Sequence, residues 1–351
     1  MYRIKSYAPN QRIILEKNPF YWRQDNQGNN LPYIENIVWQ VIENTDNQLL
    51  NFRSGELDTI KVAAEMFPLL KREENRGKYT IYNGGPTPAS SFICFNINQG
   101  KNAQGKPLVD PIKSRWFNNK AFRQAIAYGI NRKAMTNNIY RGLGAPQYSP
   151  IPVTSPFYLS PEEGLKIYNY DPEKAKKLLL DAGFKYNQNG ELLDSEGNQV
   201  EFTLLSSAGR KVREQMATQI NQDLAKLGIK INMQFLSFNT YVRKLSLSKD
   251  WEVYLGGFTG GSIEPHGGYN IWSVNGRLHT FNQGPQPGDE KIEGWKVNDW
   301  EQQIDDLYIQ ASQVFDEDKR KEFYGQAQQI IADELPFICL LYTSPSPRDS
   351  R

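Results

Sequence analysis

The sequence has little of several residue types on which whole protein classes depend. Among its 351 residues there are two cysteines, Cys94 and Cys339, and two histidines. The cysteines are too few and too far apart for a disulfide framework or a zinc site, and His279 has no metal-ligand companion at short spacing. The 41 Lys and Arg residues nearly balance the 39 Asp and Glu residues without forming long blocks of one sign, so nucleic acid is not indicated as a partner.

Long apolar runs are also missing. No segment approaches the ~18 consecutive apolar residues of a membrane-spanning helix. The opening "MYRIKSYAPNQRI" alternates like a strand and lacks the basic and then apolar stretches of a secretory signal. As written, the chain is therefore expected to carry no export signal.

Aromatic and apolar side chains are abundant. The chain is 39% hydrophobic and 12% aromatic, with 19 Tyr and 7 Trp residues. At this length, such a composition supports two globular domains with real cores. Aromatic rings also stack on ligands and line pockets, but single rings are more often part of a core. Only clusters of rings therefore indicate a site.

Helix and strand patterns alternate along the chain. The segment "YDPEKAKKLLLDAGF" predicts a helix capped by Asp171, with Pro172 in its first turn and Gly183 at its end. "REQMATQINQDLAKLGIKINMQFL" predicts a helix that stops at Gly228 and a strand after it, and "NTYVRKLSLSKDWEVYLGGF" repeats this order. The sequence therefore predicts an α/β fold.

One long helix can be drawn over residues 116–140. Phe122, Ile126 and Ile130 lie four residues apart on one face, and Asn118 or Asn119 is a suitable cap. The glycines and prolines of "RGLGAPQYSPIP" end this helix.

A glycine-rich stretch, "GGFTGGSIEPHGG", follows the last predicted strand. Six of its thirteen residues are glycine, and it contains Glu264 and His266. It lacks the lysine of a phosphate-binding loop, and a catalytic pair of Glu264 and His266 would lack the third group that such mechanisms require. The glycines can also serve turns and close passage over aromatic rings. Because ligands of open α/β sheets approach the carboxyl ends of strands, the stretch is a candidate site.

Several motifs together resemble a known family. They are "NNKAFRQAIAYGINRKAMTNNIYRGLG", "YDPEKAKKLLLDAGF", "INQDLAKLGIKINMQFLSFNTYVRKL" and "WEVYLGGF", in this order. They resemble the family 5 extracellular solute-binding proteins, the peptide- and nickel-binding components of bacterial ABC importers. The resemblance runs from about Tyr2 to about Leu341.

The resemblance implies a periplasmic-binding-protein-like α/β fold of two lobes, with mixed sheets flanked by helices and incomplete at both ends. Residues 1–100 would be the later segment of the first lobe, residues 101–325 the second lobe, and residues 326–341 the return to the first. Residues 342–351, "YTSPSPRDSR", do not continue the family pattern and look like a non-native tail. Residues 1–100 are expected to expose apolar surface, because earlier strands of their sheet are missing.

The function implied by the resemblance is capture of a peptide or peptide-like oligomer between two lobes, followed by delivery to the membrane permease subunits. No turnover, cofactor or metal is expected. The expected location is the periplasm or the outer face of the cytoplasmic membrane, with membrane contact only through the permease or an N-terminal anchor outside this chain. The alternatives are an oligosaccharide-binding importer receptor and a hydrolase that uses Glu264 and His266.

Ten residues are predicted to bind the ligand, because the corresponding strand and loops of the family face the cleft. They are Phe95, Asn96, Gly257, Phe258, Thr259, Gly260, Gly261, Tyr269, Trp272 and Arg277. Trp272 fits two roles equally, stacking on a ligand or pinning its loop. Arg277 could neutralise a carboxylate or be an ordinary surface residue.

One departure from the family concerns the ligand itself. Many peptide-binding relatives have a carboxylate shortly after this strand that anchors the free amino terminus of the peptide, where this chain has Gly260 and Gly261. An ammonium group buried without a carboxylate would be costly. The hypothesis is a ligand without a free α-amine, such as a blocked or cyclic peptide, a cell-wall fragment or an oligosaccharide.

Overall fold

Two compact units make up the chain. The computed structural model describes residues 1–82, 88–259 and 263–343, and the chain divides into Met1–Lys61 and Val62–Arg351. No helix within these described ranges is long and apolar enough to cross a membrane. The boundaries at residues 100, 325 and 341 come from the family resemblance and stay a prediction about the complete fold.

The first unit is built on an antiparallel sheet of three strands in the order β1-β2-β3. These are Tyr2–Ala8 (β1), Arg12–Lys17 (β2) and Asn36–Gln40 (β3). The helix Thr45–Arg53 (α1) follows, and the Asn44 side chain caps it by accepting hydrogen bonds from two backbone N–H groups of its first turn.

Large apolar side chains of this unit are exposed. Ile4 is 68% exposed, Trp39 58% and Trp22 82%. The apolar surface expected for residues 1–100 is therefore present in the first unit. For residues 90–95 the expectation is wrong, because they form a buried strand in the middle of a larger sheet.

The second unit contains a six-stranded mixed sheet in the order β5-β11-β4-β10-β8-β9, together with a separate two-stranded hairpin, β6-β7. Strands β8, β9 and β10 run parallel, whereas β4 is antiparallel to both of its neighbours, β10 and β11. In chain order the strands are Ser90–Phe95 (β4), Gly144–Pro146 (β5), Lys185–Tyr186 (β6), Leu192–Leu193 (β7), Glu201–Ser207 (β8), Lys230–Leu236 (β9), Val253–Phe258 (β10) and Phe337–Thr343 (β11).

Ten α-helices are found in the described part of this unit. They are Phe67–Gly77 (α2), Pro111–Asn118 (α3), Lys120–Gly129 (α4), Arg132–Asn138 (α5), Pro172–Asp181 (α6), Lys211–Ala225 (α7), Phe238–Arg243 (α8), Tyr269–Trp272 (α9), Asp299–Gln313 (α10) and Glu317–Glu334 (α11). A π-helix, Lys244–Ser248, continues α8, and 3-10 turns occur at Pro265–Gly268 and Thr280–Asn282.

The residues predicted to begin and end α6, and the glycine predicted to end α7, are confirmed. Asp171 accepts a hydrogen bond from the backbone N–H of Lys174 at 2.9 Å, and Pro172 is the first residue of the helix. Gly183 and Gly228 have φ angles of +91° and +71°, which glycine adopts without strain. Both local predictions succeed because a cap needs only residues a few positions apart.

The single helix drawn over residues 116–140 is wrong, because this segment forms α4, α5 and the end of α3, although Asn119, one of the two predicted caps, does cap α4. Asn119 leaves the helical region with a ψ of 112°, and its side chain accepts from the N–H of Phe122 at 3.2 Å. Asn131 caps α5 in the same way through the N–H of Ala134 at 2.9 Å. Asparagine side chains compete with the helix for backbone N–H groups, so each of these residues starts a new helix.

Aromatic clusters cover both faces of β4, the central strand. Its alternating side chains send Phe92 to one face and Phe95 to the other. Phe95 packs with Phe117, Phe122 and Phe202. Phe92 packs with Tyr254, Phe258 and Phe337. The sheet is thus buried on both sides in this region.

Candidate ligand-binding edge of the six-stranded sheet

One edge of the large sheet collects the carboxyl ends of its parallel strands. The parallel pair β8 and β9 ends with Ser207 beside Leu236, and Phe258 at the end of β10 pairs with Ser90 at the start of β4. Ligands of α/β sheets approach at such an edge. We call it the carboxyl edge.

The glycines of β10 allow close packing at the carboxyl edge. A Cβ atom on Gly257 would lie 2.4 Å from the carbonyl oxygen of Ser90, and one on Gly256 would lie 2.6 Å from the ring of Tyr254 and 2.9 Å from the Tyr241 hydroxyl. Both glycines therefore let the strand pack closely against neighbouring groups, which is one of the two roles that the sequence allows for them. The predicted site residues Gly260 and Gly261 lie outside the described residues.

Phe258 and Thr259 end the described part of this strand and loop. Phe258 is half-buried, with its ring centroid 4.8 Å from that of Phe92 and 5.7 Å from that of Phe337. Thr259 is exposed. Of the predicted site residues near Gly257, Thr259 thus has the most accessible side chain.

Phe95 and Asn96 have buried side chains with partners inside the chain. Phe95 belongs to the aromatic cluster around Phe117. The Asn96 side-chain amide donates to the carbonyl oxygens of Trp251 at 3.0 Å and Lys249 at 3.4 Å. These contacts tie the end of β4 to the segment that enters β10.

Trp272 packs in the core beneath its loop. It is 2% exposed, lies nearly parallel to the ring of Tyr308 at 6.1 Å and meets Phe337 edge-on at 5.8 Å. Of the two roles that fit its sequence context, this packing favours pinning the loop. Arg277 is exposed, and only its backbone has hydrogen-bond partners among the described residues, Asn270 and Gln283.

Tyr269 joins this loop to α10. Its hydroxyl donates to Asp305 Oδ1 at 2.5 Å, and burial together with this carboxylate raises the pKa of Tyr269. Its ring stacks on His266 at 5.0 Å. Tyr269, Trp272 and Arg277 therefore sit on one loop but face different environments.

Glu264 is engaged by groups on α11. Its Oε2 lies 2.5 Å from Arg320, and its Oε1 accepts from the Tyr324 hydroxyl at 3.1 Å and from the His266 N–H at 3.3 Å. Partial burial raises the pKa of Glu264, but the hydrogen bonds from Arg320, His266 and Tyr324 outweigh it and leave the pKa below its ordinary value. These contacts make Glu264 a structural link and a cap of the turn Pro265–Gly268.

A buried network that the sequence did not indicate holds the far end of the same loop. His279 Nδ1 is 3.0 Å from the carbonyl oxygen of Ile271, and Nε2 is 3.0 Å from Glu301 Oε2. Glu301, 1% exposed, also accepts from the Asn282 amide at 2.9 Å and forms a capping box with Asn298 at the start of α10. Nothing at short spacing identifies Glu301 as the partner of His279, because 22 residues separate them.

A cationic group at the carboxyl edge was also missed. Arg213 lies in the first turn of α7, and its Nη1 donates to Ser207 Oγ at 3.3 Å. Its Nη2 is 3.3 Å from the position that a Cβ atom on Gly257 would occupy. Burial, with the nearby charge of Arg210, lowers the pKa of Arg213. The sequence could have indicated Arg213, because it lies in the first turn of the helix that follows β8 and Gly209. Residues that connect a strand to the next helix line this edge of α/β sheets.

Metal-binding side chains are not assembled at the carboxyl edge or elsewhere in residues 1–82, 88–259 and 263–343. Within those ranges no three His, Cys, Asp or Glu side chains are grouped so that they could hold an ion. Cys94 and Cys339 are buried in neighbouring strands as free thiols, and burial raises the pKa of both, that of Cys339 to about 12.

Several known proteins are similar to this chain in sequence or structure. A probable ABC transporter-binding protein of Deinococcus radiodurans is 29% identical over 358 residues, covering 97% of this chain and 57% of that protein. Oligopeptide-binding protein AppA from Bacillus subtilis, solved with a nonapeptide, is similar with a TM-score of 0.74 at 23% identity, covering 97% of this chain and 60% of that one. The periplasmic binding protein MelB from Agrobacterium fabrum C58, solved with stachyose, has a TM-score of 0.79 at 19% identity, covering 97% and 51%.

These similarities confirm the predicted periplasmic-binding-protein-like α/β fold. The chain spans a little over half the length of the curated relatives it matches. The family model for the bacterial extracellular solute-binding proteins, family 5 Middle, matches residues 1–278 of the 351. The chain therefore belongs to the bacterial extracellular solute-binding proteins of family 5.

Proposed function

We propose that this chain is part of the substrate-binding component of an ABC importer, which captures a peptide or peptide-like oligomer and delivers it to the permease subunits. The observation that carries the proposal is the family match, which extends from β1 through the glycine-rich stretch to Leu278. AppA, a relative of known structure, holds a nonapeptide. The corresponding location is the periplasm or the outer face of the cytoplasmic membrane, with membrane contact through the permease or an anchor outside this chain.

Peptide capture is preferred over oligosaccharide capture on two structural observations. MelB, with its bound stachyose, makes a sugar ligand a real alternative. A sugar platform needs an accessible aromatic face, whereas Trp272 is 2% exposed and covered by Tyr308 and Phe337. The part of the carboxyl edge near the end of β10 carries the Arg213 guanidinium, which suits a carboxylate group of a peptide.

Capture without turnover is part of the proposal. A general base must be within reach of the proton that it removes. Glu264 is instead held by Arg320 and Tyr324. We therefore expect a variant that combines Glu264→Gln with His266→Asn to change affinity at most, and the wild-type protein to leave its peptides intact over hours of incubation. Cleaved peptides that disappear in the variant would contradict this.

The proposed function is tested by titrating the complete gene product that contains this chain with a pool of di- to pentapeptides and, separately, with stachyose. Ligands that bind only the folded state stabilise it, by about 2.7 kcal/mol at a concentration one hundred times Kd. We expect peptides to raise the melting temperature and stachyose to leave it unchanged. The reverse pattern would assign the protein to sugar capture.

A further inference from the structure

Strand β9 lies at an open edge of the six-stranded sheet. It pairs with β8, and no strand of the described residues lies beyond it. The helix that precedes it, α7, packs against both strands, and the helix that follows it, α8, turns back onto β8. Of the seven residues of β9, only Ile231 is buried. The outer side of this strand is therefore accessible to another chain.

Alternate residues of β9 direct their backbone groups outward. The N–H of Lys230 and the carbonyl oxygen of Leu236 bond to the residues that flank β8. Hydrogen bonding to one neighbour uses every second residue of a strand, so the even-numbered residues serve β8. The N–H and C=O groups of Ile231, Met233 and Phe235 therefore point away from the sheet, where no described strand pairs with them.

The sequence of this edge lacks the features that usually keep an edge strand unpaired. Proline, glycine and charged residues are all absent from residues 231–242, "INMQFLSFNTYV", although 23% of the chain is charged. Met233 and Phe235 are 38% and 37% exposed, and Phe238, at the start of α8, is 59% exposed. Proteins ordinarily protect a sheet edge with charges, prolines or bulges. An edge without them favours a partner that adds a strand.

The outer side of β9 is complementary to a second copy of itself. If two β9 strands run antiparallel about a two-fold axis at Met233, Ile231 of one copy lies opposite Phe235 of the other. The outward backbone groups of these residues then face one another as reciprocal pairs and can form about six hydrogen bonds. The same register places their apolar side chains on one common face of the joined sheet.

The remaining groups near this edge also suit a second copy. Asn232 would lie opposite Gln234 of the other copy, and amide side chains both donate and accept hydrogen bonds. Residues 215–222 of α7, "QMATQINQ", carry no charge, so this part of the helix brings no like charges together across the axis. A symmetric contact must avoid like charges, because each surface meets itself. A charged partner would find no counter-charge on this surface, which favours a second copy.

We propose that β9 is the contact through which two copies of this protein form a symmetric dimer, with the two-fold axis at Met233 and the two six-stranded sheets joined into one. A contact built on one strand and its neighbouring side chains belongs among the small, reversible interfaces, which bury less than about 1,200 Å². The assignment does not depend on peptide capture, because it uses only the outer side of β9.

Charge substitutions at the paired amides test the register. The complete gene product is examined by sedimentation equilibrium over about 5–500 µM, a range suited to a small reversible contact, and wild type should show a monomer–dimer equilibrium. Asn232→Lys combined with Gln234→Lys would place lysines opposite each other, and we expect dimerisation to weaken about tenfold or more. Asn232→Glu combined with Gln234→Lys would place opposite charges together and should dimerise at least as well as wild type.

A matched control adds the same charges elsewhere. Gln188→Lys combined with Asn189→Lys places two lysines on the exposed turn between β6 and β7, and this variant should dimerise as wild type does. Melting temperatures verify that each variant is folded.

A cysteine at the axis gives a covalent test. With oxidised glutathione as the oxidant, Met233→Cys should form a disulfide between two copies, because opposite residues of an antiparallel ladder have Cα atoms about 5.5 Å apart. The two copies of Phe235→Cys would lie roughly 13 Å apart along the strands and should stay unlinked. Cys94 and Cys339 are buried, so they do not compete in the folded protein.

Three results would overturn the assignment. They are a wild-type protein that stays monomeric over the whole concentration range, two charge variants that dimerise equally, and a disulfide that forms as fast in Phe235→Cys as in Met233→Cys. A monomer would mean that a segment of the complete protein outside this chain, or a different partner, covers β9. The proposed function is tested separately by ligand binding, so its failure and the failure of this assignment are distinguishable.

Discussion

Replacing Glu301 by alanine tests how the loop between β10 and α10 is held in place. Glu301 is 1% exposed and accepts hydrogen bonds from the His279 ring and the Asn282 amide, while its capping box with Asn298 begins α10. Alanine removes all of these acceptors at once. The side chains of His279 and Asn282 remain buried, so their donors lose a partner that water cannot readily replace.

The size of the effect follows from these contacts. Loss of the cap costs about 1 kcal/mol. Each buried donor left without an acceptor adds about 1–2 kcal/mol. We therefore expect Glu301→Ala to lower the free energy of unfolding by about 3–5 kcal/mol, the range seen when one member of a buried pair is removed. Glu301→Gln should cost about 1–2 kcal/mol, because its oxygen still accepts while its amide nitrogen meets a donor.

The assay is urea unfolding of the complete gene product, followed by tryptophan fluorescence, with Glu317→Ala as the matched control. Glu317 is an exposed acid in the first turn of α11, so its loss should cost about 0.3–1 kcal/mol through the helix dipole alone. If Glu301→Ala and Glu317→Ala unfold at the same urea concentration, the buried network does not hold the loop and the reasoning fails.

Three further outcomes are expected. Gly257→Ala should destabilise the protein by about 1–3 kcal/mol in thermal unfolding, because its Cβ would lie 2.4 Å from the Ser90 carbonyl oxygen. Gly268→Ala, whose Cβ would have its nearest neighbouring atom 3.9 Å away, should leave the stability unchanged in the same experiment. N-acetylation of the peptide pool should leave affinity within about threefold in calorimetry; weakening of a hundredfold or more, about 2.7 kcal/mol, would show that an anionic anchor for the amine exists. In the isolated chain, hydrogen exchange should be fast in β3 and slow in β4, since the first is exposed and the second buried; uniform protection over residues 30–60 would contradict this.

Local signals in the sequence were sufficient for several elements of the fold. The cap of Asp171, the first-turn Pro172 and the left-handed Gly183 all act within a dozen residues, and the helix between them was predicted correctly. Asn119 was one of the two predicted caps and does cap α4, whereas the break at Asn131 was missed, because apolar periodicity continues across it and only the side-chain orientation decides between cap and helix interior.

The sequence indicated a candidate site but not the roles of its residues. The glycines of β10 drew attention to the carboxyl edge, yet their function in packing depends on Ser90 and Tyr241, which come from other parts of the chain. Trp272 looked equally suited to a ligand and to the core, and its environment is set by Tyr308 and Phe337, 36 and 65 residues further on. Partners at such separations leave no local pattern, so sequence reasoning finds the residue and not its neighbours.

The position of β11 has a consequence for the order of events during synthesis. This strand, formed by the last described residues, lies between β4 and β5, so the sheet has a gap until residues 337–343 have left the ribosome. Until then, β4 and β5 present unpaired backbone groups, with Phe92 uncovered by Phe337. A chain folding from its N-terminus must therefore wait for β11 before this sheet is complete, and a chain stalled before Phe337 would expose these strand edges to chaperones and proteases.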